Sequence, residues 1–339
     1  MDILLLDTLA PEVVTWLAIR HRVSVRPELA LDLVALRKEA YKTRGIIFPP
    51  KTVVTRELLG FLPKLKVVGR LIGGMDNTDL EFCKTRGIKV VYAGNAHVIS
   101  NAEYLLGSLL LLYRRGLALG LSPGNRPAAG RAGRELYGST VGILGLSPVA
   151  HTLASTLTAL GVRLIGYDPA VHHTSPLWDK LRIQPVTLPE LMSRSDAVSL
   201  QTLDATRFNG FFNDKVLAHC KPGQMWVGIS RRSMFDEAAL AAALTDGRIE
   251  TCILDGDDAD ALDEASPLKG LKNLHLTPCL GSHTREAHLR ACWYVAHRLS
   301  VAISIQTCAH DALPSAPLPL ESGLAALLPG EAELQAAYR

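Results

Sequence analysis

Short runs of β-branched and aliphatic residues alternate with longer helical stretches along most of the 339-residue chain. This alternation is typical of repeated strand–helix–strand units, because neighbouring parallel strands need a helix to cross between them. The predicted fold class is therefore α/β, with two doubly wound parallel-sheet domains and a cleft between them.

The predicted elements follow from the period of the apolar residues. Strands are predicted at 3–6, 23–25, 45–48, 66–70, 88–91, 141–144, 162–167, 197–200, 225–229 and 251–255. Helices are predicted at 11–20, 29–41, 55–61, about 100–115 and 147–160.

Composition excludes several classes of protein. Hydrophobic residues make up 48% of the chain and charged residues 20%, which is enough apolar material for a packed core. The net charge of +3 is too small for a nucleic-acid-binding surface. The longest apolar run, 105–113, is far shorter than the roughly 20 residues of a membrane span. The six cysteines are widely separated and lack the spacing of metal ligands. We expect them to be reduced thiols, and the protein to be cytoplasmic.

One strand–turn–helix segment has the pattern of a phosphate-binding turn. Strand 141–144 is followed by GLSPVA, in which Gly145, Ser147, Pro148 and Val149 are candidate cofactor-binding residues. Dinucleotide turns use a first glycine for the tight bend and a second for close approach of the pyrophosphate. Ser147 replaces the second glycine, and Pro148 removes one backbone N–H donor from the helix start.

Asp168 lies 23 residues after Gly145, at the end of the next predicted strand. An acidic residue at this position accepts hydrogen bonds from the ribose hydroxyls of NAD and disfavours a 2′-phosphate. The segment therefore predicts NAD(H) as the cofactor. An α/β domain that no longer binds a dinucleotide is the alternative.

Several stretches, in sequence order over residues 45–300, resemble the D-isomer-specific 2-hydroxyacid dehydrogenases, a family that includes the C-terminal-binding-protein corepressors. The stretches are GILGLSPVAHTLASTLTALGVRLIGYDP from residue 142, GGMDNTD from 73, NAE from 101, KPG from 221, SRRSMFDEAAL from 230 and LTPC from 276. The resemblance implies two Rossmann- or flavodoxin-like domains and hydride transfer between NAD(H) and C2 of a 2-keto or D-2-hydroxy acid.

The resemblance also implies roles for individual residues. Ser230 would be a further cofactor-binding residue. Arg231, which follows it, would bind the carboxylate of a small-molecule substrate, and Gly73 and Gly74 would present backbone N–H groups to that carboxylate. Asp260, 29 residues after Arg231, matches the family's acidic residue, although Asp257 or Asp258 could take that role. Asp255 would face the nicotinamide.

The family's catalytic histidine is missing. The family motif ends in Thr-Pro-His, and this chain has Cys279 at the histidine position. A thiol with an ordinary pKa is mostly neutral at pH 7. His275 and His283 lie four residues to either side, which is about 13 Å along an extended segment. We therefore expect neither histidine to replace the missing one without a rearrangement.

We expect an outer domain formed by residues 1–99 and 284–312, an inserted NAD-binding domain at 100–283, and a Pro-, Ala- and Leu-rich tail at 313–339. The resemblance implies a homodimer through the cofactor domain, with the helix at 100–115 taking part. The tail is either an extended strap or a segment that binds a protein partner.

Three hypotheses for function remain. The first is an NAD(H)-dependent oxidoreductase acting on a 2-keto acid or related carbonyl. The second is an inactive member of the fold that acts as a dimeric scaffold or binds a protein partner. The third is a non-redox enzyme that uses Cys279 beside Arg231 and Asp260, since a neighbouring cation lowers a thiol pKa.

Overall fold

A computed structural model describes residues 1–72, 77–116, 132–201, 208–256 and 262–304. The predicted tail at 313–339 lies outside the described residues, as do Gly73, Gly74 and Asp260. The described chain divides into two compact units. One comprises Met1–His97 with the described residues from Thr284 onward, and the other comprises Val98–His283.

The first unit is built on five parallel strands in the order β2-β1-β3-β4-β5. The strands are β1 Ile3–Leu5, β2 Val23–Val25, β3 Gly45–Ile47, β4 Val67–Arg70 and β5 Lys89–Tyr92. Its helices are α1 Pro11–Arg20, α2 Leu33–Glu39, α3 Arg56–Gly60, α4 Leu80–Thr85 and, at the far end of the described chain, α11 Arg285–Ser304.

Two glycines on the central strands allow α11 to pack closely on this sheet. A Cβ at Gly45 would lie 2.8 Å from Ile303 Cδ1, and a Cβ at Gly69 would lie 2.6 Å from Val295 Cγ1. A larger residue on either strand would push the helix away from the sheet.

The prediction of a single helix at 29–41 is wrong. The structure has a 3-10 turn at Pro27–Ala30, then α2, then a second 3-10 turn at Ala40–Lys42. Asp32 separates the first two because its carboxylate accepts hydrogen bonds from the backbone N–H groups of Val34 and Ala35, both at 3.0 Å. That side chain starts a new helix, as N-cap aspartates do.

The second unit is built on seven parallel strands in the order β12-β11-β10-β9-β6-β7-β8. The strands are β6 Thr140–Leu144, β7 Arg163–Tyr167, β8 Gln184–Pro185, β9 Ala197–Leu200, β10 Gln224–Gly228, β11 Ile249–Asp255 and β12 Leu274–Thr277. The helices are α5 Val98–Tyr113, α6 Pro148–Ala159, α7 Pro176–Leu181, α8 Leu188–Arg194, α9 Asp214–Leu217 and α10 Glu237–Thr245.

Helices cover both faces of this sheet. Ile143 of β6 belongs to a core cluster with residues of α5, α6 and α7, such as Leu109 and Leu153. Its neighbour Leu144 belongs to a second cluster with residues of α8, α9 and α10. Successive residues of a strand point to opposite faces, so the sheet is doubly wound. The predicted fold class, two parallel-sheet α/β domains, is confirmed.

Candidate functional site

The predicted site residues of the second unit follow the carboxyl ends of its strands. Gly145 follows β6, Asp168 follows β7, Arg231 lies three residues after β10, and Asp255 is the last residue of β11. Ligands of open parallel sheets bind outside the carboxyl ends of the strands. The fold therefore brings to one edge residues that are up to 110 positions apart in the sequence.

The turn after β6 is closed by Asp168. Gly145 has φ +92°, a conformation that glycine adopts without strain. The backbone N–H of Leu146 donates to Asp168 Oδ2 at 2.7 Å, and the N–H of Ala170 donates to Oδ1 at 2.8 Å. The carboxylate is thus held at the end of β7, against the turn.

Ser147 caps helix α6 with its side chain turned into the protein. Its Oγ accepts from Ala150 N and donates to Gln201 Oε1, both at 3.4 Å. The amide of Gln201 in turn donates to Ser199 Oγ at 3.0 Å. Ser147 and Gln201 are both buried. Sequence reasoning missed Gln201, although a polar residue directly after the buried strand β9 was a usable signal.

The amino-terminal end of helix α6 has backbone donors suited to a dinucleotide pyrophosphate. Pro148 occupies the first helical position, where an N–H has no partner within the helix. Among the described residues, the backbone N–H groups of Ser147 and Val149 make no hydrogen bond. Two backbone donors at the positive end of a twelve-residue helix are the groups that bind phosphate oxygens.

Arg231 lies beside the end of the neighbouring strand. It is exposed and follows the buried Ser230. A Cβ on Gly256 would lie 3.7 Å from Arg231 Cγ, and Gly256 has φ +134°, which favours glycine. The next arginine, Arg232, is paired with Glu237, whose other carboxylate oxygen accepts from Ser266 Oγ at 2.7 Å. Arg231 is therefore the arginine placed at the strand edge.

Asp255 holds the turn that carries Cys279. Its buried carboxylate accepts from Leu280 N at 2.7 Å, from Gly281 N at 2.8 Å and from the Thr277 hydroxyl. Because the single Thr277 proton goes to the carboxylate, Tyr104 on α5 donates its own hydroxyl proton to Thr277 Oγ1, at 2.7 Å. Burial raises the pKa of Tyr104, so its hydroxyl stays protonated.

Gly281 is a required part of the same turn. A Cβ there would lie 2.8 Å from Asn101 Oδ1 and 3.0 Å from Asp255 Oδ2. The carbonyl of Gly281 also accepts a hydrogen bond from the Ser100 hydroxyl. The sequence did not reveal this network, because its members lie on three separate segments of the chain.

Cys279 is exposed and has φ +56°, a conformation that non-glycine residues rarely adopt. Its carbonyl accepts from Ser282 Oγ and from His283 Nδ1, both at 3.1 Å. The expectation that an extended segment places His283 about 13 Å from Cys279 is therefore wrong, because the chain turns back after Cys279. His275 instead lies on β12, where burial lowers the pKa of its imidazole.

In the first unit, a fully buried arginine organises the ends of the strands. Arg70 donates to the carbonyls of Pro49 at 2.7 Å and Thr52 at 2.8 Å, and to Thr78 Oγ1 at 3.0 Å. It joins the residues after β3 to the segment that follows residues 73–76. Burial lowers the pKa of Arg70, and the charge of Asp7 acts against this shift.

Within the described ranges, no group of three or more His, Cys, Asp or Glu side chains could hold a metal ion. No helix in that part of the chain is long and apolar enough to cross a membrane.

A doubly wound parallel sheet with a glycine turn and free helix N–H groups at its carboxyl edge defines a dinucleotide-binding α/β protein. Comparison with known proteins identifies the family to which this dinucleotide-binding protein belongs. Residues 121–281 match the family model described as D-isomer specific 2-hydroxyacid dehydrogenase, NAD binding domain. An (S)-sulfolactate dehydrogenase from Chromohalobacter salexigens is 31% identical over 81% of this chain and 89% of its own length.

A D-3-phosphoglycerate dehydrogenase from Mycobacterium tuberculosis is 32% identical over 89% of this chain, which spans 57% of that relative's length. The crystal structure of the TT0316 protein from Thermus thermophilus matches with a TM-score of 0.75 and 26% identity, over 90% of this chain and 97% of that one. The chain belongs to the D-isomer-specific 2-hydroxyacid dehydrogenase family, as its motifs predicted. It carries the family's NAD-binding domain, which confirms NAD(H) as the cofactor.

Proposed function

We propose that the protein interconverts a 2-keto acid and a D-2-hydroxy acid with NAD(H). The observation that carries the proposal is the shared carboxyl edge of the sheet, where the Gly145 turn follows β6, Asp168 follows β7 and Arg231 lies three residues after β10. Family membership supplies the reaction type. NAD(H), when bound, supplies or accepts the hydride at substrate C2.

The chain's own residues bind and orient the substrate and the cofactor. The Ser147 and Val149 N–H groups receive the pyrophosphate, and Asp168 accepts from the ribose hydroxyls. Arg231 binds the substrate carboxylate and polarises the C2 carbonyl, with Gly73 and Gly74 as further N–H donors. Asp260 orients the group that exchanges the proton.

The substrate class follows from the names of two relatives. Sulfolactate and 3-phosphoglycerate are both 2-hydroxy acids with a second anionic group on C3. We therefore propose a substrate that carries a sulfonate, phosphate or second carboxylate. The homodimer and a protein partner for residues 313–339 are proposed on the family resemblance and the tail composition.

We propose His283 as the proton donor in place of the family's catalytic histidine, whose position Cys279 occupies. Its Nδ1 faces a carbonyl, which only accepts, so Nδ1 carries a proton and Nε2 is the nitrogen left to face the substrate. Reduction of the ketone places a hydride on C2 and a proton on the carbonyl oxygen. In the protonated imidazole, Nε2 supplies that proton.

His283→Gln should lower kcat for keto-acid reduction about 100-fold, the usual contribution of a positioned acid. The glutamine keeps a hydrogen-bond donor at this position but cannot give up a proton to the substrate oxygen. The measurement is kcat for keto-acid reduction, with Cys279→Ser as the matched control that keeps most of the activity. Equal rates in parent and His283→Gln would reject His283 as the acid.

Asp168→Ala should weaken NADH binding about tenfold, because the ribose hydroxyls lose a charged acceptor and the turn loses its Leu146 bond. Fluorescence titration with NADH measures the dissociation constant, and Asp179→Ala, an exposed aspartate on α7, is the control. Absence of binding up to millimolar NADH would overturn the dehydrogenase proposal. The scaffold alternative and the chemistry of Cys279 would then be pursued.

A further inference from the structure

A cleft of about 360 Å³ lies in the second unit near the amino ends of β6 and β7. Thr140 is the first residue of β6 and Arg163 is the first of β7, and both line the cleft. The two-residue strand β8 pairs with Ile165 and Gly166, and the cleft opens beside this short pairing. The cofactor turn follows the other end of β6, about 13 Å away along a five-residue strand.

Three arginines from three different elements line this cleft. Arg163 begins β7, Arg182 follows α7, and Arg194 ends α8. No lining residue is acidic, and the other polar side chains are Thr140, Thr158 and Gln184. Every one of these polar side chains can donate a hydrogen bond.

The described residues leave these guanidinium groups poorly neutralised. The side chains of Arg182 and Arg194 make no hydrogen bond or ion pair within the described ranges, and Arg163 Nε donates to Thr140 Oγ1 at 3.4 Å. Glu190, one turn before Arg194, attracts it only at longer range. Its carboxylate instead accepts from Thr187 N at 2.9 Å and from Thr187 Oγ1 at 2.8 Å.

Like charges that line one concave site repel one another, and an oxyanion that accepts from several guanidinium groups removes that repulsion. Guanidinium forks match phosphate oxygens in geometry. A cleft of this volume holds a small ligand. Three arginines and a net charge of +3 are too few for a nucleic-acid surface.

We propose that this cleft binds a small phosphate-bearing anion of at least two negative charges, at a site separate from that of the dinucleotide. The proposal does not depend on the proposed oxidoreductase activity.

The test is calorimetric titration of the full chain with pyrophosphate, at an ionic strength held constant with sodium chloride. We expect saturable binding at the cleft. Arg182→Gln/Arg194→Gln should weaken it at least tenfold, because two of the three guanidinium groups are removed. Arg285→Gln, an exposed arginine of the first unit, is the matched control and should leave the affinity unchanged.

Pyrophosphate could also occupy the cofactor turn, so the titration is repeated with saturating NADH, and binding at the cleft should be retained. Circular dichroism checks that the double variant is folded, which the exposure of both arginines favours. Equal pyrophosphate affinity in the parent and the double variant would overturn the proposal, as would no heat above the salt control. NADH affinity should be the same in the parent and the double variant, so failure here leaves the dehydrogenase proposal standing.

Discussion

Arg231→Ala should lower kcat/KM for a 2-keto acid about 1,000-fold. A guanidinium that donates two charge-assisted hydrogen bonds to a carboxylate and its neighbouring carbonyl contributes about 4 kcal/mol to the transition state. Part of this contribution acts on the carbonyl oxygen as negative charge develops there, so kcat should fall and KM should rise. Arg231→Lys should recover only part of the loss, because an ammonium cannot form the planar fork.

Two controls make this result specific. Arg248→Ala removes a guanidinium that is paired with Asp246, two residues earlier in the segment before β11. This variant should leave kcat/KM within about twofold. NADH affinity of Arg231→Ala should match that of the parent, since the proposed cofactor contacts are made by residues that follow β6 and β7. An unchanged kcat/KM would remove Arg231 from the site and favour a protein without dehydrogenase activity.

Asp255→Ala should lower the free energy of unfolding by about 3 kcal/mol. The substitution leaves the partly buried N–H of Leu280 and the buried N–H of Gly281 without their acceptor, and an unsatisfied buried donor costs about 1–3 kcal/mol. Asp255→Asn should lose less, because its amide oxygen still accepts while its NH₂ group faces a donor. Urea unfolding of the two variants and the parent measures the difference.

Asp214→Asn is the matched control, because Asp214 is exposed and its removal should change stability by less than about 0.5 kcal/mol. Asp255→Asn should also reduce kcat in the folded protein, since the turn that carries Cys279 and His283 loses part of its support. If Asp255→Ala were as stable as the parent, the turn would have to be held by other contacts.

Much of the fold was predictable because local patterns agree with the tertiary environment. The buried strands β1, β6 and β9 consist mostly of apolar residues, and the predicted limits of α1 match the observed ones. The helix predicted at 29–41 failed because apolar spacing cannot reveal that the Asp32 side chain caps a new helix start.

The candidate site was predictable only where a residue follows a strand. Asp168 and Arg231 have that position, and parallel strands bring such residues to one edge. Ser147 was interpreted as a side chain in the path of the phosphate, but its partner Gln201 is 54 residues away and turns it into the interior. Distances along an extended chain also misplaced His283, because the turn at Cys279 is held by Asp255 from another strand.

The sequence by itself determined the fold class, the family and the strand-end residues, because periodicity and motif order are local properties of the chain. Only the tertiary structure decided which polar groups meet: the Asp255 turn network, the Ser147–Gln201 pair, the contact of His283 with Cys279 and the three-arginine cleft. Each depends on side chains from separate elements reaching one point. Their distances follow from strand order and helix packing, and no spacing in the sequence encodes them.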